Sequence, residues 1–383
     1  MWQKQSNIEA WTENIGGSDN MNINQITLAW LNSGNVFSNI KIQQLLDYFG
    51  TPKDIWDNFE KEHNFLNILN NQTIDNLIKI KENFAEELLE KLNKENVKII
   101  TLFDDEYPIK LRNIIDMPHI LYYKGNINAC NNLSIAVVGS RKATSYGKWA
   151  AEKFTKELSE MNVTIISGLA AGIDSIAHKT AIKYNSPTIG VIGCGIDIVY
   201  PKQNEQLYKE VIENNGAVIT EFPFKTKPMP MNFPIRNRII SGLSDGILVI
   251  EAQEKSGTLI TASHAGEQGK DIFAVPGNIN SLYSKGTNAL IKDGAKLVSS
   301  IDDIVEEINE LKNFIHKNRK IENYDKLSDD ELKLINVLKL GEKNILEILE
   351  EVQMDVGEIL SILTMLEMKG VVKQYPGKIF YLA

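Results

Sequence analysis

Apolar positions recur along this chain with two different periods, and the change of period divides it into segments. Between residues 22 and 100 the stretches ITLAWLNS, IKIQQLLDYFG, PKDIWDNF and IDNLIKIKENFAEELLEKLNKEN carry apolar residues at helical spacing, with Gly50, Pro52 and Asn/Asp clusters marking the breaks. Four short helices are predicted there. VKIITLFD, at 97–104, predicts a strand leading into the next segment. From Ser134 onward, short β-branched runs (SIAVVG, VTIISG, TIGVIG, AVITEF, GILVIEA, DIFAVPG, KLVSS) alternate with amphipathic stretches such as YGKWAAEKFTKELSEMN and NEQLYKEVIENN. Buried strands alternating with helices mean βαβ units, so the fold class is α/β, a Rossmann-like doubly wound and mostly parallel sheet. KNFIHKNRKIENYD, at 312–325, reads as a polar linker, and the last segment predicts three helices and a hairpin turning at Pro-Gly, a winged-helix pattern. The expected organisation is therefore a poorly ordered tail over 1–21, a helical domain over 22–100, a Rossmann-like domain over 101–311, the linker over 312–325 and a winged helix over 326–383.

Composition narrows the class without changing the layout. A chain of 383 residues with 43% hydrophobic and 24% charged content is typical of a soluble globular protein with two or three cores. Charges or Gly/Pro interrupt every apolar run before it reaches the ~20 residues of a membrane span. The first twenty residues lack the apolar stretch of a secretory signal, and Met21 offers a second start. Cys130 and Cys194 form no CxxC, so neither a disulfide framework nor a zinc site is expected, and a reducing, cytoplasmic setting fits.

Charge does change the picture. The formal net charge of −9 argues at first against a nucleic-acid partner. Its distribution reverses that: residues 110–300 hold 21 Lys/Arg against 16 Asp/Glu, whereas 1–109 hold 9 against 17 and 301–383 hold 11 against 17. A basic centre between acidic ends points to an anionic ligand for the centre alone.

Ligands of open α/β sheets bind outside the carboxyl ends of the strands. There the sequence places GSRKATSYG, with Gly139, Ser140, Arg141 and Ser145; SGLAAGID; GCGIDIVYPKQN, with Lys202; MPMNFPIRNRIISGLS, with Phe233, Arg236, Asn237 and Arg238; and EAQEKSGTLITA, with Lys255, Ser256, Gly257 and Thr258. Gly286 and Asn288 open a further helix. Any one of these turns is usually a packing device, and any one of these arginines a surface ion-pair partner. Several small-residue turns with Arg or Lys on one sheet edge suit an extended polyanion, because backbone N–H groups and guanidinium groups contact phosphate independently of sequence. Phe233 beside Arg236 adds a stacking surface for an unpaired base, or alternatively a core phenylalanine. Asp174, Glu221 and Glu251 read as carboxylates that hold Arg236 and Arg238 in place rather than as catalytic groups.

Small-ligand chemistries fit less well. GxxxxGK[ST] is absent, and Gly193-Cys194-Gly195 is not followed by the third glycine of GxGxxG. His63, His119, His178, His264 and His316 lack metal-ligand spacing, and no nucleophile elbow appears. No cofactor, catalytic residue or metal site is assigned.

GSRKATSYG, SGLAAGIDSIAH, TIGVIGCGIDIVYPKQN, FPIRNRIISGLS, VIEAQEKSGTLITASHAGEQGKDIFAVPG and GTNALIKDGA closely resemble the DNA processing protein A (DprA/Smf) family, in the family's order, over most of 134–295. The flanks are similar as well, a small helical domain like sterile-alpha-motif or helix-hairpin-helix folds and a winged helix. The resemblance implies a non-enzymatic protein that binds single-stranded DNA during natural transformation, shields it, helps load the recombinase RecA and dimerises through the Rossmann-like domain. It also implies that Arg141, Lys202, Phe233, Arg236 to Arg238 and Lys255 to Thr258 form the DNA site, with Ser140 as a hydroxyl partner of phosphate. The alternative is a nucleotide-binding or nucleotide-hydrolysing enzyme related to the lysine-decarboxylase-like phosphoribohydrolases. Their PGGxGTxxE signature would place its glutamate at Thr261 and its Pro-Gly at Glu254-Lys255. The third helix of the winged-helix segment, Asp355 to Lys369, carries Asp355, Glu358 and Glu367 against Lys369, which favours a protein contact over a duplex groove.

Overall fold

A computed structural model describes residues 21–33, 37–62, 71–312, 327–339, 341–352, 354–369, 371–375 and 377–382. The tail expected over 1–21 and the linker over 312–325 therefore lie almost wholly outside the described residues. The chain divides into two compact units, one up to Ile308 and one from Asn309.

In the first unit, helices α1 (Ile23–Asn32), α2 (Asn39–Phe49), α3 (Pro52–Glu62) and α4 (Asn71–Glu95) precede a nine-stranded sheet. Asn22 and Ser38 cap α1 and α2 by accepting from the Gln25 and Lys41 amides, which is why these helices begin where they do. Trp30, Phe59, Leu45 and Leu77 form one apolar cluster that continues into Ile99, Tyr122 and Val218 of the sheet. The helical layer thus shares a core with the sheet's edge.

The sheet runs from β1 (Lys98–Thr101) and β2 (Ile120–Gly125) through β3 (Ser134–Val138), β4 (Thr164–Ser167), β5 (Thr188–Val191), β6 (Ala217–Thr220), β7 (Gly246–Val249) and β8 (Asp271–Ala274) to β9 (Lys296–Leu297). Its order is β1-β2-β6-β5-β4-β3-β7-β8-β9. All pairings from β6 to β9 are parallel, and β1 and β2 add an antiparallel edge. Strand β2 is not among the strands the sequence pattern predicts. Strands β3 to β7 are buried along their whole length, which accounts for their continuous β-branched runs.

The intervening helices are α5 (Ser145–Glu160), α6 (Ile173–Lys183), α7 (Glu205–Glu213), α8 (Asn232–Leu243), α9 (Gly257–Glu267), α10 (Lys285–Lys292) and the short α11 (Asp302–Val305). Successive strands from β3 to β6 step one way along the sheet, and β7 to β9 step the other way from β3. The strand order therefore reverses between β3 and β7, and a doubly wound sheet opens a crevice at that reversal.

The second unit holds α12 (Asp329–Leu338), β10 (Lys343–Asn344), α13 (Ile345–Glu351), α14 (Val356–Met368), β11 (Val372–Tyr375) and β12 (Ile379–Leu382), with strand order β10-β12-β11. Three helices with a hairpin, around Leu334, Ile348, Leu363 and Phe380, make the expected winged helix.

Cys130 and Cys194 are free and buried, and burial pushes their thiols up to about 12 and about 11. His178 is wholly enclosed. The Thr188 hydroxyl donates to the Ile165 carbonyl, so it accepts from His178 Nδ1, which leaves Nε2 unprotonated and without a partner. Burial lowers His178 to about 3 and His119 to about 4, against an ordinary value of 6.5. Between these values the unfolded chain binds protons that the folded one refuses. Their contribution to stability is therefore full above pH 6.5 and is lost as pH falls below it, by roughly 1 kcal/mol per pH unit for each histidine. Urea midpoints measured from pH 7.5 down to 5 should fall, and His178→Gln should flatten that slope. A slope unchanged by the substitution would contradict this.

Candidate nucleic-acid interface

Two turns face each other across the crevice between β3 and β7. The first, after β3, is Gly139-Ser140-Arg141-Lys142. Gly139 has no side chain because a Cβ there would sit 2.7 Å from the Ile173 side chain. Gly172, at φ +83°, passes so close that a Cβ would lie 2.3 Å from the Ser140 carbonyl oxygen. That carbonyl accepts from the Ile173 amide, and the Ser140 hydroxyl accepts from the Lys142 amide at 3.1 Å. The hydroxyl proton is left to donate into the crevice. The second turn, after β7, is Lys255-Ser256-Gly257-Thr258 at the start of α9. No side chain caps this helix, the Ser256 hydroxyl is buried without a partner, and a Cβ on Gly257 would meet nothing within 4 Å. Uncapped first-turn amides thus open onto empty space, an arrangement that favours an anion.

Glu251 fixes the separation of the two turns. Its buried carboxylate accepts from the amide and the hydroxyl of Thr144, the N-cap of α5. Gly147 makes room for it. The sequence reading that Glu251 holds Arg236 or Arg238 is corrected here: it ties β7 to α5.

The floor comes from α8, whose N-terminus lies at the carboxyl edge. Arg236 is buried, and its Nη1 donates to the Gly168 carbonyl at 2.9 Å and to the Val191 carbonyl, closing the ends of β4 and β5. Its Nε donates to Asn237, which in turn donates to the Gly257 carbonyl. Asp174 lies beside Arg236 where a Gly168 side chain would stand, and accepts from the Gly168 amide at 3.1 Å. Burial raises the Asp174 carboxyl above the usual range against the pull of Arg236 and that amide. Phe233 lies one turn earlier. Gly193 leaves space for its ring, the Tyr200 ring lies 5.6 Å from it at 31°, and the exposed Arg141 guanidinium sits over it at 5.1 Å. Asn204 holds the Tyr200 loop by donating to the Leu169 carbonyl and the Ser175 hydroxyl.

The resulting cleft has a volume of about 670 Å³. It brings together Gly139, Ser140, Arg141, Phe233, Arg236, Asn237, Lys255, Ser256, Gly257 and Thr258 of the expected site, and adds Lys142, Tyr200 and Gln253. Among the described residues, Asp174 is the one carboxylate on its wall, against Arg141, Lys142, Arg236 and Lys255. Thr261 also faces it. Tyr200 is not among the expected site residues although its string, VYPKQN, supplies Lys202; an aromatic at a strand end is the available signal.

Three expected contacts lie elsewhere. Ser145 is exposed on the first turn of α5, and Lys202 is exposed on the 3-10 turn after Pro201, both outside the cleft wall. Arg238 is corrected outright. It is buried, grips both oxygens of Glu221 at 2.7 and 2.6 Å and donates from Nε to Asp116 at 3.0 Å. Glu221 also accepts from Asn39 of α2 at 3.0 Å, so the pair fastens α8 and β6 to the helical layer.

The family model for DNA recombination-mediator protein A matches residues 98–309, and one for the DprA winged helix domain matches residues 322–378. The chain belongs to the DNA recombination-mediator protein A (DprA) family. Among its DprA relatives, DNA processing protein DprA of Bacillus subtilis is 41% identical over 224 residues, covering 58% of this chain and 75% of that protein. DNA processing protein DprA of Streptococcus pneumoniae is 44% identical over 218 residues, covering 56% and 77%. The X-ray structure of the Streptococcus pneumoniae DprA superposes with a TM-score of 0.59 at 34% identity, over 75% of this chain and 98% of that one. A Helicobacter pylori DNA processing protein A, described for its single-stranded DNA binding mode, gives 0.51 at 29% identity, over 57% and 98%.

Arg238→Ala should lower unfolding stability by about 3–5 kcal/mol, because Glu221 is left buried and unpaired. Arg141→Ala, at an exposed position, should stay within about 0.5 kcal/mol of the parent. Urea denaturation checks both, and equal effects would refute the division between anchor and contact.

Proposed function

We propose that this protein binds single-stranded DNA in the cleft between β3 and β7 through phosphate contacts. The observation that carries the reading is the pairing of two amide-rich turns with an arginine-capped aromatic pair in one basic cleft. Phosphates meet the Ser140 hydroxyl, the uncapped amides of Gly257 and Thr258, Arg141 and Lys255. Tyr200 and Phe233 offer ring faces to bases, which only an unpaired strand presents. The single-stranded DNA binding mode of the Helicobacter pylori relative supports this choice of ligand.

Protection of the strand, its transfer to a RecA-type recombinase in transformation, a homodimer and a cytoplasmic setting extend the proposal. They rest on family membership, and "recombination mediator" names the step in which a bound strand is passed on. Binding without catalysis belongs to the same proposal. Asp174 is engaged by the Gly168 amide, and Thr261 stands where the phosphoribohydrolase signature would place its glutamate. A cleft of this volume also suits a mononucleotide, so nucleotide binding is the reading to test against.

Fluorescence anisotropy with labelled oligothymidine, a duplex of equal length and AMP decides between them. Oligothymidine should bind at least tenfold more tightly than duplex, and AMP should neither be hydrolysed nor displace it at matched phosphate concentration. Arg141→Ala should weaken binding in every sequence context and reduce the salt slope by about one unit. AMP hydrolysis, or a preference for duplex, would overturn the proposal.

A further inference from the structure

The turn that carries Arg141 and Lys142 runs through Thr144 directly into α5, and the first turns of that helix hold a second aromatic surface outside the cleft. Gly147, Ala150, Ala151 and Phe154 face inward. Tyr146 and Trp149 point outward at a spacing of three, 44% and 56% exposed, with ring centroids 5.9 Å apart and planes at 31°. The Tyr146 hydroxyl donates to the Pro276 carbonyl at 2.8 Å, which fixes the first ring. The Lys153 ammonium lies 5.7 Å from the Trp149 ring. From 141 to 153 the chain carries Arg141, Lys142, Lys148 and Lys153 against a single carboxylate, Glu152. Trp149 lies four residues into α5, about 6 Å of helix axis from its start.

We propose that Tyr146 and Trp149 form a stacking platform for unpaired bases, which continues the path of a single strand out of the cleft along α5. This rests on the proposed binding of single-stranded DNA to the cleft. A single exposed aromatic needs no explanation, but a tilted pair, with the first ring held by a hydroxyl anchor and the second edged by a lysine, presents ring faces and positive charge together. Those are the two requirements of a sequence-tolerant single-strand subsite. A cleft of about 670 Å³ encloses a nucleotide or two, so a longer strand has to leave it over an adjoining surface. The Arg141-Lys142 turn is both a wall of the cleft and the lead into this surface, which makes the basic path continuous.

The test compares the dinucleotide pTpT with an oligothymidine of about 15 nucleotides, which fill the cleft alone or extend beyond it. Trp149→Ala should weaken the longer one roughly five- to tenfold and leave the shorter within about twofold, with Trp149→Phe retaining most of the longer oligonucleotide's affinity. Arg141→Ala in parallel should weaken both lengths. If the parent and Arg141→Ala behave so but Trp149→Ala binds the longer oligonucleotide like the parent, the platform is refuted and the cleft stands. Equal losses at both lengths would make Trp149 a support of the cleft rather than a subsite. A parent that binds neither length would remove the cleft reading and the platform with it.

Discussion

The buried guanidinium of Arg236 is the constraint on which the arrangement at the sheet edge depends. It takes the carbonyls of Gly168 and Val191, which would otherwise end β4 and β5 without partners in a water-poor recess. In doing so it fixes the N-terminal turn of α8 at the carboxyl edge, and that places Phe233 beneath Arg141. A buried charge of this kind costs desolvation energy that packing alone does not return, so its value lies in position and potential rather than in stability. Asp174, on the same side of Gly168, offsets part of the charge, and the rest remains as a positive floor under the cleft.

Such a floor explains how an acidic protein presents a basic site. Charges on the surface are screened over about 8–10 Å in physiological salt, so the acidic helical layer acts locally. Inside a cleft with low-dielectric walls the same screening is weak, and Arg141, Lys142, Arg236 and Lys255 dominate over Asp174. Glu221 and Glu251, two further carboxylates near strand ends, are engaged by Arg238 and Thr144. Their charge is spent on holding the frame: Glu221 binds α8 to the helical layer, and Glu251 sets the gap between the two anion-facing turns.

Much of this was legible in the sequence because fully buried parallel strands need unbroken β-branched runs and because anion-facing turns need small residues. Gly139, Gly172 and Gly257 are glycines for reasons that a pattern shows only collectively, one by close packing, one by positive φ and one by open space. What escaped notice has physical causes. ILYYKG, strand β2, pairs antiparallel with both β1 and β6 and carries two tyrosines but no β-branched run. The helix α8 is buried on all sides from Arg236 to Leu243, so it lacks the polar face that marks a surface helix. Its two arginines therefore look alike in sequence, although one serves the cleft floor and the other is an internal anchor. Whether a charge faces a ligand or a buried partner depends on the far side of the helix, which comes from residues 39, 116 and 221.

The central claim is that the strand is held by backbone amides and short polar side chains at the turn after β3 and the turn after β7. An amide-resolved NMR titration of the full chain with a short oligothymidine tests it most directly. The account predicts that resonances of Ser140, Arg141, Lys142, Ser256, Gly257 and Thr258 shift most and saturate together. Shifts confined to the winged helix or the N-terminal helices, with those six amides unmoved, would contradict it.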